Sequence, residues 1–563
     1  MKSNGTGAAG ERRDPAGWQS GEDRSQRERT CADVMNTQQE RTRDRLRLAD
    51  LLAALSLETD LAMGHPSDEA MRTCLLATGL ARRLGLSDAE TADAYWTALL
   101  MHVGCTAYAH EQAALFGGDE IAVNAIGSKT DFGNPREALS FMRELSRGMS
   151  PVQRARVLFV MLSQGDRIDR EVATSTCEVA AATALRLGLP DSVQQGLNQL
   201  FERWDGKGAP HKLAGDAIVL PARLAHLASQ AMVFERMAGT DAAVEMARRR
   251  GGAALDPHLA DAFARHAQDV LREIHSCDPW RAVVEAEPEP HREIPESELD
   301  DVARAFADVV DLKSTYTLGH STAVARLSEA AGRALGLAES ETVSLRRAGY
   351  FHDLGRVGIP NGIWEKPTSL TTSEWEQVRL HPYHSERILS RSPVLAPLAN
   401  LVGMHHERLD GSGYHRQATA GSIPVAARVL AAADVYQGLT QDRAHRPALS
   451  SSAAADHLAS EAGAGRLDAA AVEAVLSAAG HDRARPVRQG WPAGLTDREV
   501  DVLRLLARGL SKREVGRRLF ISPKTVGGHT EHIYQKLDVS SRAAAALFAV
   551  QHDLLSESIQ ASH

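Results

Sequence analysis

Five short landmarks occur twice along this 563-residue chain, in the same order. Met63-Gly64-His65, Arg83-Leu84-Gly85-Leu86 and Leu99-Leu100-Met101-His102-Val103-Gly104 are matched by Leu318-Gly319-His320, Ala334-Leu335-Gly336-Leu337 and Tyr350-Phe351-His352-Asp353-Leu354-Gly355. Further on, Glu202-Arg203-Trp204-Asp205-Gly206-Lys207-Gly208 parallels Glu407-Arg408-Leu409-Asp410-Gly411-Ser412-Gly413, and Leu220-Pro221-Ala222-Arg223 parallels Val425-Ala426-Ala427-Arg428. Ordered self-similarity of this kind marks two copies of one structural unit. From Leu46 onward the apolar spacing is helical and rich in Ala, Leu and Arg, with period-two alternation nearly absent. The fold class is therefore all-α: two tandem helical domains followed by a small C-terminal module.

Composition sets the boundaries. Residues 1–44 are polar with interleaved charges, which reads as a disordered leader. An acidic, Pro-punctuated run at 275–297 and the Arg485-Pro486 and Trp491-Pro492 breaks at 481–491 read as linkers. The expected domains are then 45–274, 298–480 and 492–558. Lys and Arg number 64 against 73 Asp and Glu, a net charge of −9. That excludes a wholly basic nucleic-acid binder but leaves room for a small basic module. No stretch approaches 18 uninterrupted apolar residues, and the first residues lack the apolar core of a secretory signal. Cys31, Cys74, Cys105, Cys177 and Cys277 form no CxxC pair, which argues against a disulfide framework or a cysteine zinc site. The expectation is a cytoplasmic protein with no membrane partner.

The 23 histidines lead to the chemistry. The second copy carries His320, the adjacent pair His352-Asp353, His381, the pair His405-His406, and Asp434. Imidazoles mixed with carboxylates suit Fe, Mn or similar ions better than Ca or Mg. These residues sit inside longer strings: His352-Asp353-Leu-Gly-Arg356, Ile359-Pro360-Asn-Gly-Ile-Trp-Glu-Lys366-Pro367, His381-Pro382, His405-His406-Glu407-Arg-Leu-Asp410-Gly411-Ser-Gly413-Tyr414 and Ala433-Asp434. In this order they resemble the HD-GYP branch of the HD phosphohydrolase superfamily, over about 300–480.

The resemblance implies that His320, His352, Asp353, His381, His405, His406 and Asp434 hold two divalent cations, Fe or Mn, with Asp353 as the bridge. Such a pair acidifies a water for attack on phosphorus and clamps the phosphate charge. It implies cyclic di-GMP as substrate, with Asp353 and Arg356 catalytic. Arg356, Gly411, Gly413, Tyr414, Arg443 and Arg446 would contact the substrate. The chain departs from the pattern at Arg356 (usually Lys), His415 (the Pro of Gly-Tyr-Pro), Gln437 (a second Asp) and Tyr316 (a Glu that supports a third metal), so two ions are expected rather than three. In the first copy His65 and His102 persist. Val103, however, replaces the bridging Asp, Leu200-Phe201 the His pair, and Ser229 stands near the Asp434 equivalent. This copy is expected to be a catalytically inert scaffold, with a sensory pocket at Trp204–Gly208 as the alternative.

In the C-terminal module Thr496-Asp-Arg-Glu499 and Ser511-Lys-Arg-Glu514 read as capping boxes, and Ser522-Pro523 as an N-cap before a first-turn proline. Short helices at this spacing suggest a helix-turn-helix, with Val526, Ile533 and Leu537 on the inner face of its third helix. The segment from Gly494 to Arg542, including Ile521-Ser-Pro-Lys524-Thr525-Val526-Gly-Gly528-His529, resembles the LuxR-type DNA-binding domain. Residues 490–563 hold ten Lys and Arg against eight Asp and Glu, a net +2. Lys512, Arg513, Lys524, Thr525, Gly528, His529 and Lys536 are the candidate DNA contacts, which for the basic groups means phosphate. Double-stranded DNA is the expected partner, read by a homodimer through two half-sites. The whole reads as a cyclic di-GMP phosphodiesterase coupled to transcriptional output. The alternatives are a regulator that senses a nucleotide without turnover, or hydrolysis of another nucleotide phosphoester.

Overall fold

The structure, a computed structural model, describes residues 46–480 apart from Gly148, and residues 491–555. The expected leader at 1–44 and residues 481–490 of the second linker lie outside the described residues. Among the described residues regular structure is helical except for β1 (Leu46–Arg47) and β2 (Glu293–Ile294), which pair antiparallel. The first copy runs from α1 (Leu48–Met63) through Glu69–Arg83, Asp88–Leu100 and the long α2 (Pro151–Arg186) to Pro257–Ser276. The second is built on α3 (Leu299–Asp311), α4 (His320–Ala334), α5 (Glu339–Phe351), α6 (His381–Leu389) and α7 (Val425–Leu439).

The duplication is visible in local geometry. Gly64 and Gly319 precede His65 and His320 with φ of 65° and 71°, a region that penalises a Cβ. Beneath each turn a buried aspartate satisfies the first free amides of the next helix. Asp60 accepts from Glu69 N and Ala70 N at 3.0 Å, and Asp311 accepts from Ser321 N at 2.9 Å.

One apolar core runs through both copies, with Leu52 and Phe263 from the first and Phe306 and Phe351 from the second. The acidic run at 275–297 belongs to it. Helix Pro279–Ala286 buries Val283, and Glu287 accepts from Arg47 Nε at 2.6 Å. The copies also interlock beside the second copy's functional loops. Lys313 Nζ donates to Glu120 Oε1 at 2.5 Å and to Val357 O at 3.0 Å. Asn361 N donates to both oxygens of Glu120 at 3.1 and 3.0 Å, and Gly362 N to Gly118 O at 2.7 Å.

The C-terminal module comprises α8 (Asp497–Ala507), α9 (Lys512–Leu519), α10 (Pro523–Leu537) and α11 (Arg542–Gln551). Both expected capping boxes form, and Ser522 Oγ accepts from Thr525 N at 3.0 Å. Val526 and Ile533 enter the module's own core with Leu503 and Leu506, and Leu537 packs at its edge. Helix α11 is shared: Ala545 and Ala549 face that core, while Ala543, Ala546, Leu547 and Val550 join the core of the two copies. Polar contacts complete the docking. Arg542 pairs with Glu111, Ser540 N donates to Glu178 at 2.9 Å, and Arg326 pairs with Asp553 at 2.7 Å. Among the described residues no helix is long and apolar enough to cross a membrane.

Candidate metal centre

Six of the seven candidate ligands are delivered at or just beyond an element end, and Asp434 from within a helix. His320 opens α4, His352 caps the end of α5, Asp353 starts the turn Leu354–Gly358, His381 opens α6, His405 and His406 follow helix Ala396–Val402, and Asp434 lies on α7. The turn after Asp353 is clamped onto α6. Gly355 N donates to Ser385 Oγ at 2.8 Å, and Ser385 Oγ donates to His352 O at 2.7 Å. A Cβ at Gly355 would lie 2.2 Å from His381 O, so glycine alone permits this approach.

All seven residues meet around Asp353. Its Oδ2 lies 3.4 Å from His352 Nε2 and 3.8 Å from His320 Nε2, while Oδ1 lies 3.4 Å from His381 Nε2 and 3.7 Å from His405 Nε2. Asp434 closes the far side, with Oδ1 3.1 Å from His320 Nε2 and Oδ2 3.6 Å from His406 Nδ1. Two groups of potential cation ligands result, His320/His352/Asp353 and His381/His405/His406, each with its ligand atoms within 4.8 Å of one another.

Hydrogen bonding fixes the imidazoles. The Nδ1 atoms of His352, His381 and His405 sit 2.8, 2.6 and 2.7 Å from the carbonyls of Gly349, Val378 and Val402. A carbonyl only accepts, so each Nδ1 carries a proton and each Nε2 is the nitrogen turned toward the cluster. Burial pushes His381 down to about 3 and His405 to about 4, and it also lowers His320 and His406, so neutral rings are favoured. His381 Nε2 and His405 Nε2 then face each other at 3.1 Å with no proton between them. His352 Nε2 and Asp353 Oδ1 are buried without a hydrogen-bond partner. Burial alone would raise Asp353, but His352 and Arg356 beside it outweigh that and hold the carboxyl well below the ordinary range. Lone pairs and carboxylate oxygens converging in a dry site are the donor set that divalent cations satisfy.

The surrounding predicted residues divide. Arg356 Nη1 lies 3.3 Å from Asp353 Oδ2, its guanidinium stacked 3.8 Å above the Trp364 ring. Tyr414 stacks on His406 at 4.4 Å, and burial raises its hydroxyl, keeping it protonated. Arg443 donates to Tyr316 O at 2.9 Å, and burial pushes it down to about 10. Arg446 instead caps α7, donating to Gly438 O at 2.7 Å and Leu439 O at 3.1 Å. Gly411 takes a φ of 80°, and a Cβ on Gly413 would meet Glu407 Cα at 2.5 Å, so both serve the loop's own fold. Sequence reasoning passed over Gln441, whose Oε1 lies 3.0 Å from His320 Nδ1, and Trp364, although the latter stands in the Ile359–Pro367 run already singled out.

The first copy holds no comparable group. Both candidate ligand groups among the described residues lie in the second copy, and burial keeps His65 and His102 low, at about 3 and about 4. Beside Trp204 and His226 the cavity is about 10 Å³, room for one water at most. Arg203 fills the neighbourhood, paired with Asp131 and Asp205. No space for a sensed nucleotide exists at that position.

In the C-terminal module Lys512, Arg513, Lys524 and Thr525 are exposed, and Gly528 and His529 are half-buried. Lys536 is engaged internally, its Nζ 2.7 Å from Glu499 Oε2 and 2.9 Å from Gly494 O.

Comparison with known proteins matches this division. Residues 304–471 match the family described as HD domain, and 493–549 the family described as bacterial regulatory proteins, luxR family. The chain is 29% identical to the 3'3'-cGAMP-specific phosphodiesterase 3 of Vibrio cholerae over 406 residues, 71% of this chain and 88% of that protein. It is 35% identical to the 3'3'-cGAMP-specific phosphodiesterase 1 of the same organism over 32% of this chain and 42% of that one. It is 37% identical to a cyclic di-GMP phosphodiesterase of Pseudomonas aeruginosa over 25% of this chain and 35% of that one. These two matches span less than half of either relative. A crystal structure of a cyclic GMP-AMP-specific phosphodiesterase from V. cholerae superposes with a TM-score of 0.54 at 26% identity, covering 78% of this chain and 99% of that one. The chain thus carries an HD domain followed by a C-terminal luxR-family regulatory domain, and its homologues are HD-GYP-type cGAMP and cyclic di-GMP phosphodiesterases.

Proposed function

We propose that the second copy opens a 3',3'-cyclic dinucleotide by hydrolysing one phosphodiester bond, and that the C-terminal module carries the result to double-stranded DNA. The observation that supports this best is the convergence of imidazole nitrogens on the ionised Asp353. His320, His352, Asp353, His381, His405, His406 and Asp434 would hold two cations, Fe or Mn, with Asp353 between them. When bound, the cations acidify a water and neutralise the phosphate. The chain's own groups do the rest. The carbonyls of Gly349, Val378 and Val402 orient the imidazoles, and Gln441 orients His320. Arg356, held flat by Trp364, offers charge to a phosphate oxygen, and the protonated Tyr414 offers a hydrogen bond beside His406.

The relative that spans both copies is named for 3'3'-cGAMP, so this substrate stands ahead of cyclic di-GMP. The reading places the protein in the cytoplasm as a homodimer on DNA half-sites. It is tested by metal analysis of the purified full-length protein together with hydrolysis of 3',3'-cGAMP and cyclic di-GMP. Two ions per chain and cleavage of at least one substrate are expected, both lost in Asp353→Ala. A metal-loaded protein that cleaves neither overturns the catalytic reading.

A further inference from the structure

A cleft of about 1890 Å³ lies between the second copy and the C-terminal module, and none of the seven candidate ligands lines it. One wall carries Arg326, Arg443 and Arg446, the other Arg498, Arg508 and Arg518. Four of the six are occupied. Arg326 pairs with Asp553, Arg443 donates to Tyr316 O, Arg446 caps α7, and Arg498 donates to Leu519 O at 2.5 Å. Among the described residues the guanidinium groups of Arg508 and Arg518 make no hydrogen bond or ion pair, although Asp442 lies near Arg508. Burial and the neighbouring charge of Arg518 lower Arg508, while Asp442 partly compensates. Asp442 and Asp553 are the acidic groups of the lining, and Asp553 is already committed to Arg326. Six arginines against two aspartates in one large cleft leave a surplus of positive charge that describes a site for an anion. Phe520, 87% exposed, adds an aromatic face at the rim.

We infer that this cleft is a second nucleotide-binding site, separate from the candidate metal centre, in which Arg508 and Arg518 take the phosphates of a linear or mononucleotide ligand. The volume admits a dinucleotide, and an aromatic face beside arginines suits a base next to phosphate. Such a ligand would bridge the two domains directly. The turn Arg508-Gly509 already presses on Thr315, five residues before His320, so close that a Cβ at Gly509 would lie 3.0 Å from Thr315 Cγ2. Gln441 lines the cleft on one side and holds His320 on the other. The site thus reports nucleotide to the DNA-binding module from outside the catalytic pocket. The choice of a nucleotide as ligand rests on the proposed function.

The test is calorimetric titration of the full-length protein with the linear dinucleotide 5'-pGpG. Wild type is expected to bind two equivalents per chain. The Arg508→Ala/Arg518→Ala variant should lose one of them, or bind it at least tenfold more weakly, while kcat/KM on 3',3'-cGAMP stays within twofold. Arg508→Lys/Arg518→Lys should restore part of the affinity, which separates lost charge from a misfolded module. A single equivalent in wild type that the alanine variant keeps, or two unchanged equivalents in the alanine variant, overturns the inference. So does hydrolysis that falls in step with binding, because the cleft would then be part of the metal centre. An Arg508-dependent site in a protein that cleaves no cyclic dinucleotide supports the inference while removing the catalytic reading.

Discussion

The buried pair Lys313–Glu120 ties the first copy to the loops of the candidate metal centre, and its removal has a calculable cost. The two side chains are 4% and 1% exposed, with Nζ and Oε1 2.5 Å apart. At an effective dielectric near 20, their gross attraction is about 7 kcal/mol. Glu120→Ala removes it and strands an ammonium that keeps only Val357 O. It also orphans Asn361 N, a loss of about 1–3 kcal/mol. After relaxation the net destabilisation should be about 3–5 kcal/mol, as for breaking other buried pairs. Replacing both partners, Glu120→Leu with Lys313→Met, leaves no stranded charge and should cost only the Asn361 amide. The double variant is therefore expected to be more stable than Glu120→Ala alone, by about 2 kcal/mol. Urea unfolding followed by circular dichroism on the full chain reads all four corners of the cycle. The reasoning is refuted if Glu120→Ala costs under about 1 kcal/mol, or if the double variant loses the sum of the two single losses.

Gln441→Ala removes the partner of His320 Nδ1, so metal affinity should fall about 10–100-fold in a chelator competition while the fold is kept. Burial holds His102 at about 4 against an ordinary 6.5, so the unfolded chain takes up a proton below pH 6.5 that the folded one refuses. Its share of stability is complete above 6.5 and is lost as pH falls towards 4, about 3 kcal/mol in all. His102→Asn should flatten that part of a stability-versus-pH curve. Lys524→Ala should weaken DNA binding at every sequence and lower the salt slope by about 1, seen in anisotropy titrations at several salt concentrations. Lys536→Ala should leave the slope unchanged and instead destabilise the module through Glu499.

What could be read from the chain was what depends on near neighbours. The boxes Thr496/Glu499 and Ser511/Glu514 are local, so residue types three apart suffice to place them. The five His residues and Asp353 lie at or just beyond element ends and Asp434 within α7, and each stands in a string that already marked it. Roles decided by distant partners were not legible. Arg446 turns back to cap α7, Lys536 is taken by Glu499, and the glycines of the Gly411–Gly413 turn answer to Glu407 and to a left-handed φ. The acidic run at 275–297 carries a linker's composition, yet Arg47 and the core around Val283, more than 200 residues upstream in the case of Arg47, hold it in place. Gly118, Glu120 and Lys313 carry no local signal at all, and only the folded chain brings them together.

Helix α11 donates one face to the small C-terminal core and the other to the core of the two copies. A ten-residue helix cannot be ordered for one and disordered for the other, so the chain has no boundary there at which heat or denaturant can separate a regulator from an enzyme. Melting of the DNA-binding module strips Leu547 and Val550 from the larger core, and loosening of the larger core withdraws support from Ala545 and Ala549. The two activities are joined by shared cooperativity as well as by sequence.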